Sequence, residues 1–455
     1  MPPGPYLVVG LARSGQAVAL LLASRGEEVI GCDAGSAEGM ERLREAGVEV
    51  HLDTDGVPLL ERARCLVKSP GVPREAPVVR LARERGIPVL GELELAWRVL
   101  PNRFVAVTGT NGKTTVTELL GHVWRTAGEP VAVAGNVGTP LASLAGELAD
   151  EVTVVCECSS FQLEDSEAFA PECAVLLNVT PDHLDRHHDF EDYLQAKLRI
   201  FANQGNDDVA VFNSDEPALE GRDLGGCARR IEYCRDDLEP RHARTRSGGG
   251  DGHGCAASIT EDVLFVESEP LMAVAELSLP GPHNAENAMA AAAAATAMGI
   301  DRGAVSEALR TFPGVPHRLE RVAEVGGVLY VNDSKATNVA AAAAALRSFE
   351  GGVRAILGGS LKGAGFEGLA EPVAERCSAC YLIGEAADAL ASDLAGAGVE
   401  LRRSGDLETA VRAAAGDATP GEVVLLAPAC ASFDAYRDYE ERGEHFCALV
   451  EELGR

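Results

Sequence analysis

At 455 residues with 46% apolar side chains, the chain has room for about three domains of roughly 150 residues, each with its own core. A formal charge of −30 repels nucleic acid and anionic membrane, and no basic run or aromatic-basic stripe offsets it. Anionic substrates would therefore have to be attracted locally, by lysines, arginines, metal and backbone N–H groups.

The opening Met1-Pro-Pro-Gly-Pro5 has no basic stretch leading into a long apolar one, and the alanine-rich helix patterns at 288–300 and 339–346 are short. A soluble, cytoplasmic protein with neither membrane nor nucleic-acid partners is expected, acting as a monomer. Twelve cysteines include Cys156-x-Cys158 and Cys377-x-x-Cys380, but no second pair is spaced for zinc, so reduced core thiols are expected.

In chain order, residues 6–94 alternate strand and helix signals. An apolar strand at Tyr6–Val9 runs into Gly10-Leu-Ala-Arg-Ser-Gly15, a helix pattern follows through Leu22, and a strand at 28–32 ends at Asp33. Gly10 and Gly15, with Asp33 about 20 residues on, resemble a dinucleotide fingerprint, but Ala12 stands where the middle glycine would admit a pyrophosphate. The sheet edge reads equally as a holder of another nucleotide, with Arg13 or Ser14 near its phosphates and Asp33 accepting from a base or ribose. Asp33 as a plain turn residue is the remaining reading.

Residues 95–300 open with a buried strand at 104–107 that leads into Thr108-Gly-Thr-Asn-Gly-Lys-Thr-Thr115 and a helix pattern from Val116. This context makes the loop a phosphate cradle. Gly109, Thr110, Asn111 and Gly112 let backbone N–H groups turn toward a polyphosphate, and a helix N-terminus adds partial positive charge. Lys113 supplies a point charge, and the Thr114 hydroxyl, followed by Thr115, can ligate Mg²⁺. Strict P-loop spacing places a glycine where this chain has Val107, so the loop is a shorter GxxGKTT form.

Strands at 131–135, 152–157, 174–178 and 209–213 and a helix at 193–201 continue the α/β pattern. Between 235 and 254 the chain turns polar and Gly-rich, which reads as an exposed, mobile loop. From Asp301, strands at 328–331, 353–357, 379–383 and 423–426 alternate with helices at 406–415 and 434–452. The expected fold is α/β throughout, in three domains. These are a Rossmann-like domain over 1–94, a P-loop-type mononucleotide-binding domain over 95–300 and a second Rossmann-like, doubly wound domain over 301–455.

Glu157 ends a strand, where open α/β sheets place their ligand crevice, and the next strand delivers Asp182, His183 and Asp185 to the same rim. Oxygen ligands, one imidazole and the loop hydroxyl suit a hard divalent ion that keeps waters for phosphates. Lys197 lies among Leu194, Leu198 and Phe201 on a helix, either buried or snorkelling. Desolvation would raise its neutral fraction and allow reaction with CO₂ to a carbamate, one reading among several. In the last domain, Arg318 offers a planar fork for phosphate, and Asp333 and Lys335 follow a strand directly. Solvated loop charges are the plainer alternative.

Together GLARSG (10–15), SPGVP (69–73), GELEL (91–95), TGTNGKTT (108–115), GNVGTP (135–140), ECSSFQLE (157–164), LNVTPDHLDRH (177–187), AKLRIF (196–201), GPHNAENA (281–288), PHRLE (316–320), NDSKATN (332–338) and APACASFD (427–434) resemble the Mur ligases of peptidoglycan synthesis over nearly the whole chain. The resemblance implies ATP-driven amide formation through an acyl phosphate. It points to the branch that adds D-glutamate to UDP-N-acetylmuramoyl-L-alanine, a cytoplasmic step serving cell-wall growth, cell shape and division.

By that resemblance, Gly109 through Thr115 bind ATP, with Lys113 and Thr114 on phosphate and metal. Glu157, His183 and Lys197, the last as a carbamate, serve two Mg²⁺ ions. Asn284, Asn287, Arg318 and Asp333 contact ATP, while His317 and Lys335 line the reacting centre. Arg13, Ser14, Asp33 and Gly71 fall to the uridine diphosphate, which the first domain would hold. Asn136 and Ser159, beside His183, fall to the muramoyl-alanine side, and Thr337, Lys362, Ser432, Phe433 and Tyr439 to D-glutamate.

Other readings fit less well. A diaminopimelate-adding ligase would carry a DNPR-like acceptor motif, an L-alanine-adding one a histidine where Asn111 stands, and a folylpolyglutamate synthase would lack the front domain. Ala12 argues against an NAD oxidoreductase, and the metal-rim residues with PHRLE and NDSKATN argue against a non-catalytic nucleotide-binding protein.

Overall fold

The computed structural model describes residues 1–35, 39–136, 138–183, 186–235, 255–279, 281–361 and 365–454. Three sheets organise the chain, in two compact units, Met1–Phe312 and Pro313–Arg455. The first sheet is parallel, with β1 (Tyr6–Val9), β2 (Val29–Cys32), β3 (Glu49–His51), β4 (Cys65–Lys68) and β5 (Val89–Gly91) in the order β3-β2-β1-β4-β5. Strands β1, β2 and β4 are buried along their whole length, as continuous apolar runs covered on both faces must be.

The second sheet holds β6 (Phe104–Thr108), β7 (Val131–Gly135), β8 (Thr153–Glu157), β9 (Cys173–Leu176), β10 (Val209–Asn213), β11 (Arg229–Arg235), β12 (Ala257–Thr260), β13 (Val263–Val266) and β14 (Glu269–Ala273). Its order is β14-β13-β12-β11-β10-β9-β6-β8-β7. Strands β6 to β12 pair in parallel, whereas β12, β13 and β14 form an antiparallel extension that the sequence pattern does not announce. Their short, half-polar runs carry no strong period.

One apolar cluster runs from Tyr6, Leu22 and Leu43 through Phe104 and Phe169 to Leu224, joining the first two sheets in a single core. Polar ties reinforce that junction. Glu94, fully buried on the helix Glu92–Val99, accepts from the backbone N–H groups of Glu167, Ala168 and Phe169 at 3.0 Å and pairs with Arg98 at 2.7 Å. Lys68, also buried, pairs with Asp165 at 2.6 Å and donates to Val72 O.

The first unit continues to Phe312. The helix Arg302–Thr311 packs on the helix Lys113–Thr126, with His122 Nε2 3.0 Å from Thr311 Oγ1, so it belongs to the sheet before it. The second unit is built on β15 (Glu320–Val325), β16 (Val328–Asn332), β17 (Val353–Gly358), β18 (Cys377–Ile383), β19 (Glu400–Gly405) and β20 (Val423–Leu426), ordered β15-β16-β20-β17-β18-β19. Only the edge pair β15–β16 is antiparallel.

Cys156, Cys158, Cys377 and Cys380 carry free thiols, as expected, while one other pair is bonded. Parallel pairing of β11 with β12 sets Tyr233 opposite Ala257, and the adjacent Cys234 and Cys255 are joined by a disulfide with Cα atoms 6.0 Å apart. The Gly-rich stretch read as an exposed loop falls at 236–254, outside the described residues. Among the described residues no helix is long and apolar enough to cross a membrane.

Candidate active site

In the first unit the site grows from the C-terminal edge of the second sheet. Strand β6 ends at Thr108, and the helix Lys113–Thr126 begins after Gly112, whose φ of 84° is a left-handed conformation. A Cβ there would meet Asn287 Oδ1 at 2.5 Å, so glycine permits the close approach of the helix Pro282–Ala297 to the loop. Partners far along the chain hold the loop open. Thr110 N donates to Asn178 O, Asn111 N donates to Asn178 Oδ1 at 2.8 Å, and Thr110 Oγ1 lies 3.0 Å from Tyr193 OH.

Two lysine Nζ atoms converge on one carbonyl. Lys113 Nζ donates to Gly109 O at 3.0 Å and to Thr110 O, and Lys197 Nζ donates to the same Gly109 O at 2.7 Å. Lys197 is 1% exposed, with its Nζ 4.5 Å over the Tyr193 ring. Burial, and then the charge of Lys113, hold its pKa well below the ordinary lysine value. Of the alternatives open for Lys197, the structure takes the buried one.

On the other side of β6, Glu157 closes β8 in register with Val107 and is buried. Asn136 Nδ2 donates to its Oε1 at 2.8 Å, but its Oε2 is buried without a hydrogen-bond partner among the described residues. An orphaned carboxylate oxygen at this depth is an expensive arrangement unless a cation completes it. It suits Mg²⁺, which takes one or two carboxylates and leaves its other positions to water and phosphate. The buried Thr114 hydroxyl on the neighbouring helix start is of the right donor type. Among the described residues no group of three or more His, Cys, Asp or Glu side chains gathers as a metal site. His183 is half-exposed at a φ of 54°, with its Nε2 3.5 Å from Asp182, and Asp185 lies outside the described residues.

His187, which sequence reasoning passed over, is the better-held imidazole. Its ring stacks on Phe161 at 5.3 Å, its Nε2 is 3.0 Å from Ser160 Oγ, and burial lowers its pKa. Ser159 caps the short helix Ser160–Leu163, with its Oγ and N both donating to Gln162 Oε1 at 3.0 Å. In the first sheet, Asp33 ties down the neighbouring turn: Oδ2 accepts from Leu11 N at 2.7 Å and Oδ1 from Gly35 N at 2.9 Å. Ser69 N donates to Val9 O, so the turn bearing Gly71 sits beside the start of the Gly10–Gly15 loop, from which Arg13 and Ser14 enter the helix Arg13–Ser24.

The second unit gathers its own group. Asp333 N donates to Leu426 O, and its carboxylate accepts from Leu319 N at 3.1 Å, binding the Arg318 turn to the end of β16. Burial pushes Asp333 up to about 6. His317, at a φ of 62°, has its Nδ1 2.9 Å from Asn332 Nδ2, and Lys335 N donates to His317 O. Lys335 Nζ lies 5.9 Å from the Tyr439 ring centre. Ser360 Oγ accepts from Asp434 N at 2.8 Å and so fastens the turn after β17 to the segment carrying buried Ser432 and Phe433, the latter 71% exposed. Thr337 follows Lys335 on the same turn, and Lys362 lies outside the described residues.

The chain matches the family descriptions "Mur ligase MurD-like, N-terminal domain" over residues 5–91, "Mur ligase middle domain" over 107–295 and "Mur ligase, glutamate ligase domain" over 317–430. It is 43% identical over 448 residues to the UDP-N-acetylmuramoylalanine–D-glutamate ligase of Acidobacterium capsulatum, covering 98% of this chain and 95% of that one. It is 44% identical to the ligase of the same name from Salinibacter ruber, covering 98% and 97%. Among solved structures, the UDP-N-acetylmuramate-alanine ligase of Thermotoga maritima superposes with a TM-score of 0.60 at 19% identity over 99% of both chains, which shows a shared fold. The chain belongs to the Mur ligase family.

Proposed function

We propose that this chain is a cytoplasmic, monomeric ATP-dependent ligase of peptidoglycan synthesis that joins D-glutamate to UDP-N-acetylmuramoyl-L-alanine, releasing ADP and phosphate. The observation that carries the reading is the charge arrangement around β6. Two lysine nitrogens meet on Gly109 O beside a helix N-terminus, and one strand away Glu157 keeps an oxygen without a partner among the described residues. Relatives with that ligase name, alike over 98% of the chain, support the choice of substrates.

The substrate carboxylate attacks the γ-phosphate, giving an acyl phosphate and ADP, and the amine then displaces phosphate through a tetrahedral intermediate. Positioning and charge neutralisation carry such a transfer. Lys113 and the Gly109–Thr115 backbone hold phosphate oxygens, with Asn284 and Asn287 alongside. Thr114, Glu157, His183 and a carbamate on Lys197 would hold Mg²⁺, which when bound neutralises charge developing on the transferred group. Depression of the Lys197 pKa keeps an amine lone pair available; it adds to the carbon of CO₂, and the nitrogen sheds a proton.

Asn136 and Ser159 receive the muramoyl-alanine end, and Arg13, Ser14, Asp33 and Gly71 its uridine diphosphate. In the second unit, Arg318 and Asp333 serve ATP and His317 and Lys335 the reacting groups. Thr337, Lys362, Ser432, Phe433 and Tyr439 take D-glutamate. Phosphate release is expected only with the muramoyl substrate, D-glutamate and Mg²⁺ present together. Equal release without D-glutamate, or with L-lysine in its place, overturns the reading.

A further inference from the structure

Arg442, on the helix Tyr439–Leu453, is the largest fully buried side chain among the described residues, at 1% exposed. Its guanidinium donates only to neutral acceptors among them: Nε to Ser334 Oγ at 3.0 Å, Nη2 to Ser334 O at 2.9 Å and Cys430 O at 3.1 Å, and Nη1 to Ala431 O at 3.2 Å. A third turn closes on it, since a Cβ at Gly359 would lie 3.0 Å from Nη1. Ser334 Oγ passes the connection on by donating to Tyr439 O at 2.7 Å.

Buried guanidinium groups are ordinarily paired with carboxylates, because an uncompensated charge out of water is costly. Here burial lowers the pKa to about 10, which still leaves the group cationic at neutral pH. The opposing influences, the Cys430 thiol, Asp434 and Tyr436, act through space. A rigid planar fork with no carboxylate bonded to it among the described residues therefore sits where the 332–338 turn, the 427–434 segment and the Gly358–Ser360 turn meet.

The geometry points to Arg442 as a positioning residue for the incoming amino acid: its fork sets the spacing of the Ser334–Thr337 and Cys430–Phe433 segments, and its charge favours a dicarboxylate between them. This rests on the functional reading above and adds a residue that does not itself touch the substrate.

The test is steady-state kinetics of the full chain with each substrate varied in turn, for Arg442→Lys, Arg442→Met and the milder Ser334→Ala, alongside thermal unfolding. Arg442→Lys, which keeps charge but loses the fork, is expected to raise KM for D-glutamate about 10-fold, and Arg442→Met about 100-fold. Ser334→Ala should raise it several-fold, with KM for ATP and the muramoyl substrate within about 2-fold throughout. If Arg442→Met does not fold, the lysine and serine variants decide. An unchanged KM for D-glutamate in folded variants, or a parallel rise for all three substrates, overturns the assignment. If the parent enzyme takes a different amino acid, the functional reading fails separately, and the same split is read on the acceptor it does use.

Discussion

Glu92 is a buried carboxylate whose pKa the fold raises. It opens the helix Glu92–Val99 at 1% exposure, its Oε1 accepts from Ala142 N at 2.9 Å, and its Oε2 is among the buried oxygens without a hydrogen-bond partner among the described residues. Burial raises its pKa from 4.5 to about 7, with the Ala142 N–H and the Gln162 amide pulling the other way. Because the native value lies above the unfolded one, the folded chain holds a proton between pH 4.5 and 7 that the unfolded chain has released. Stability contributed by the neutral acid is therefore complete below pH 4.5 and lost as pH rises through 7.

A shift of about 2.5 units at about 1.36 kcal/mol each amounts to roughly 3 kcal/mol of destabilisation above neutrality. Glu92→Gln removes the titration at nearly constant shape. Any hydrogen bond that the amide weakens has the same effect at every pH, so the informative quantity is the change in the variant-minus-parent difference between pH 5 and pH 8. That change is expected to be about 2 to 3 kcal/mol in favour of the variant at the higher pH, or about 3 to 5 °C in unfolding midpoint for a unit of this size. Parallel stability–pH curves for the two proteins would show that Glu92 is ionised at little cost and refute the reasoning.

Glu94, two residues on, should behave oppositely: Glu94→Gln gives up the Arg98 pair and weakens three backbone acceptances, destabilising the first unit by about 2 to 4 kcal/mol in urea unfolding. Lys113→Ala is expected to abolish phosphate release while leaving the circular dichroism spectrum unchanged, and retained turnover would remove the lysine from the phosphate site. Lys197→Ala should lose activity and regain part of it with added formate or acetate in place of the carbamate; activity that no short-chain carboxylate restores counts against carbamylation. Phe169→Ala, which empties a ring packed edge-on against Trp97 and Phe104, should cost about 3 to 5 kcal/mol in the same unfolding assay.

What could be read from the sequence was chemistry carried by adjacent residues. The phosphate loop needs glycine, lysine and threonine in consecutive places, so its type and its strand–loop–helix setting were visible before any fold was known. What props that loop was not visible, because Asn178 and Tyr193 reach Asn111 and Thr110 from 67 and 83 residues away and neither has a local signature. The same blindness hid His187 and Arg442, whose significance lies in burial and in partners on other strands and turns. The packing of the helix Arg302–Thr311 was hidden for a related reason: its amphipathic pattern says that one face is buried, but not against which sheet. Strands β12 to β14 escaped notice because short runs split by polar turns give the alternation rule too few residues to act on.

The surface charge of −30 and the buried charges pose one problem at two scales. An acidic surface offers no long-range attraction to a triphosphate or a dicarboxylate, so affinity has to come from charges sheltered from solvent and salt. Each unit holds such a charge. In the first, half-buried Lys113 donates to the Gly109 and Thr110 carbonyls; in the second, Arg442 donates to carbonyls and a hydroxyl. Left alone, such groups destabilise the fold, and a ligand of opposite charge relieves that cost. On this reasoning the substrates complete the electrostatics of the folded state, and substrate-induced stabilisation should shrink when any one of these charges is removed.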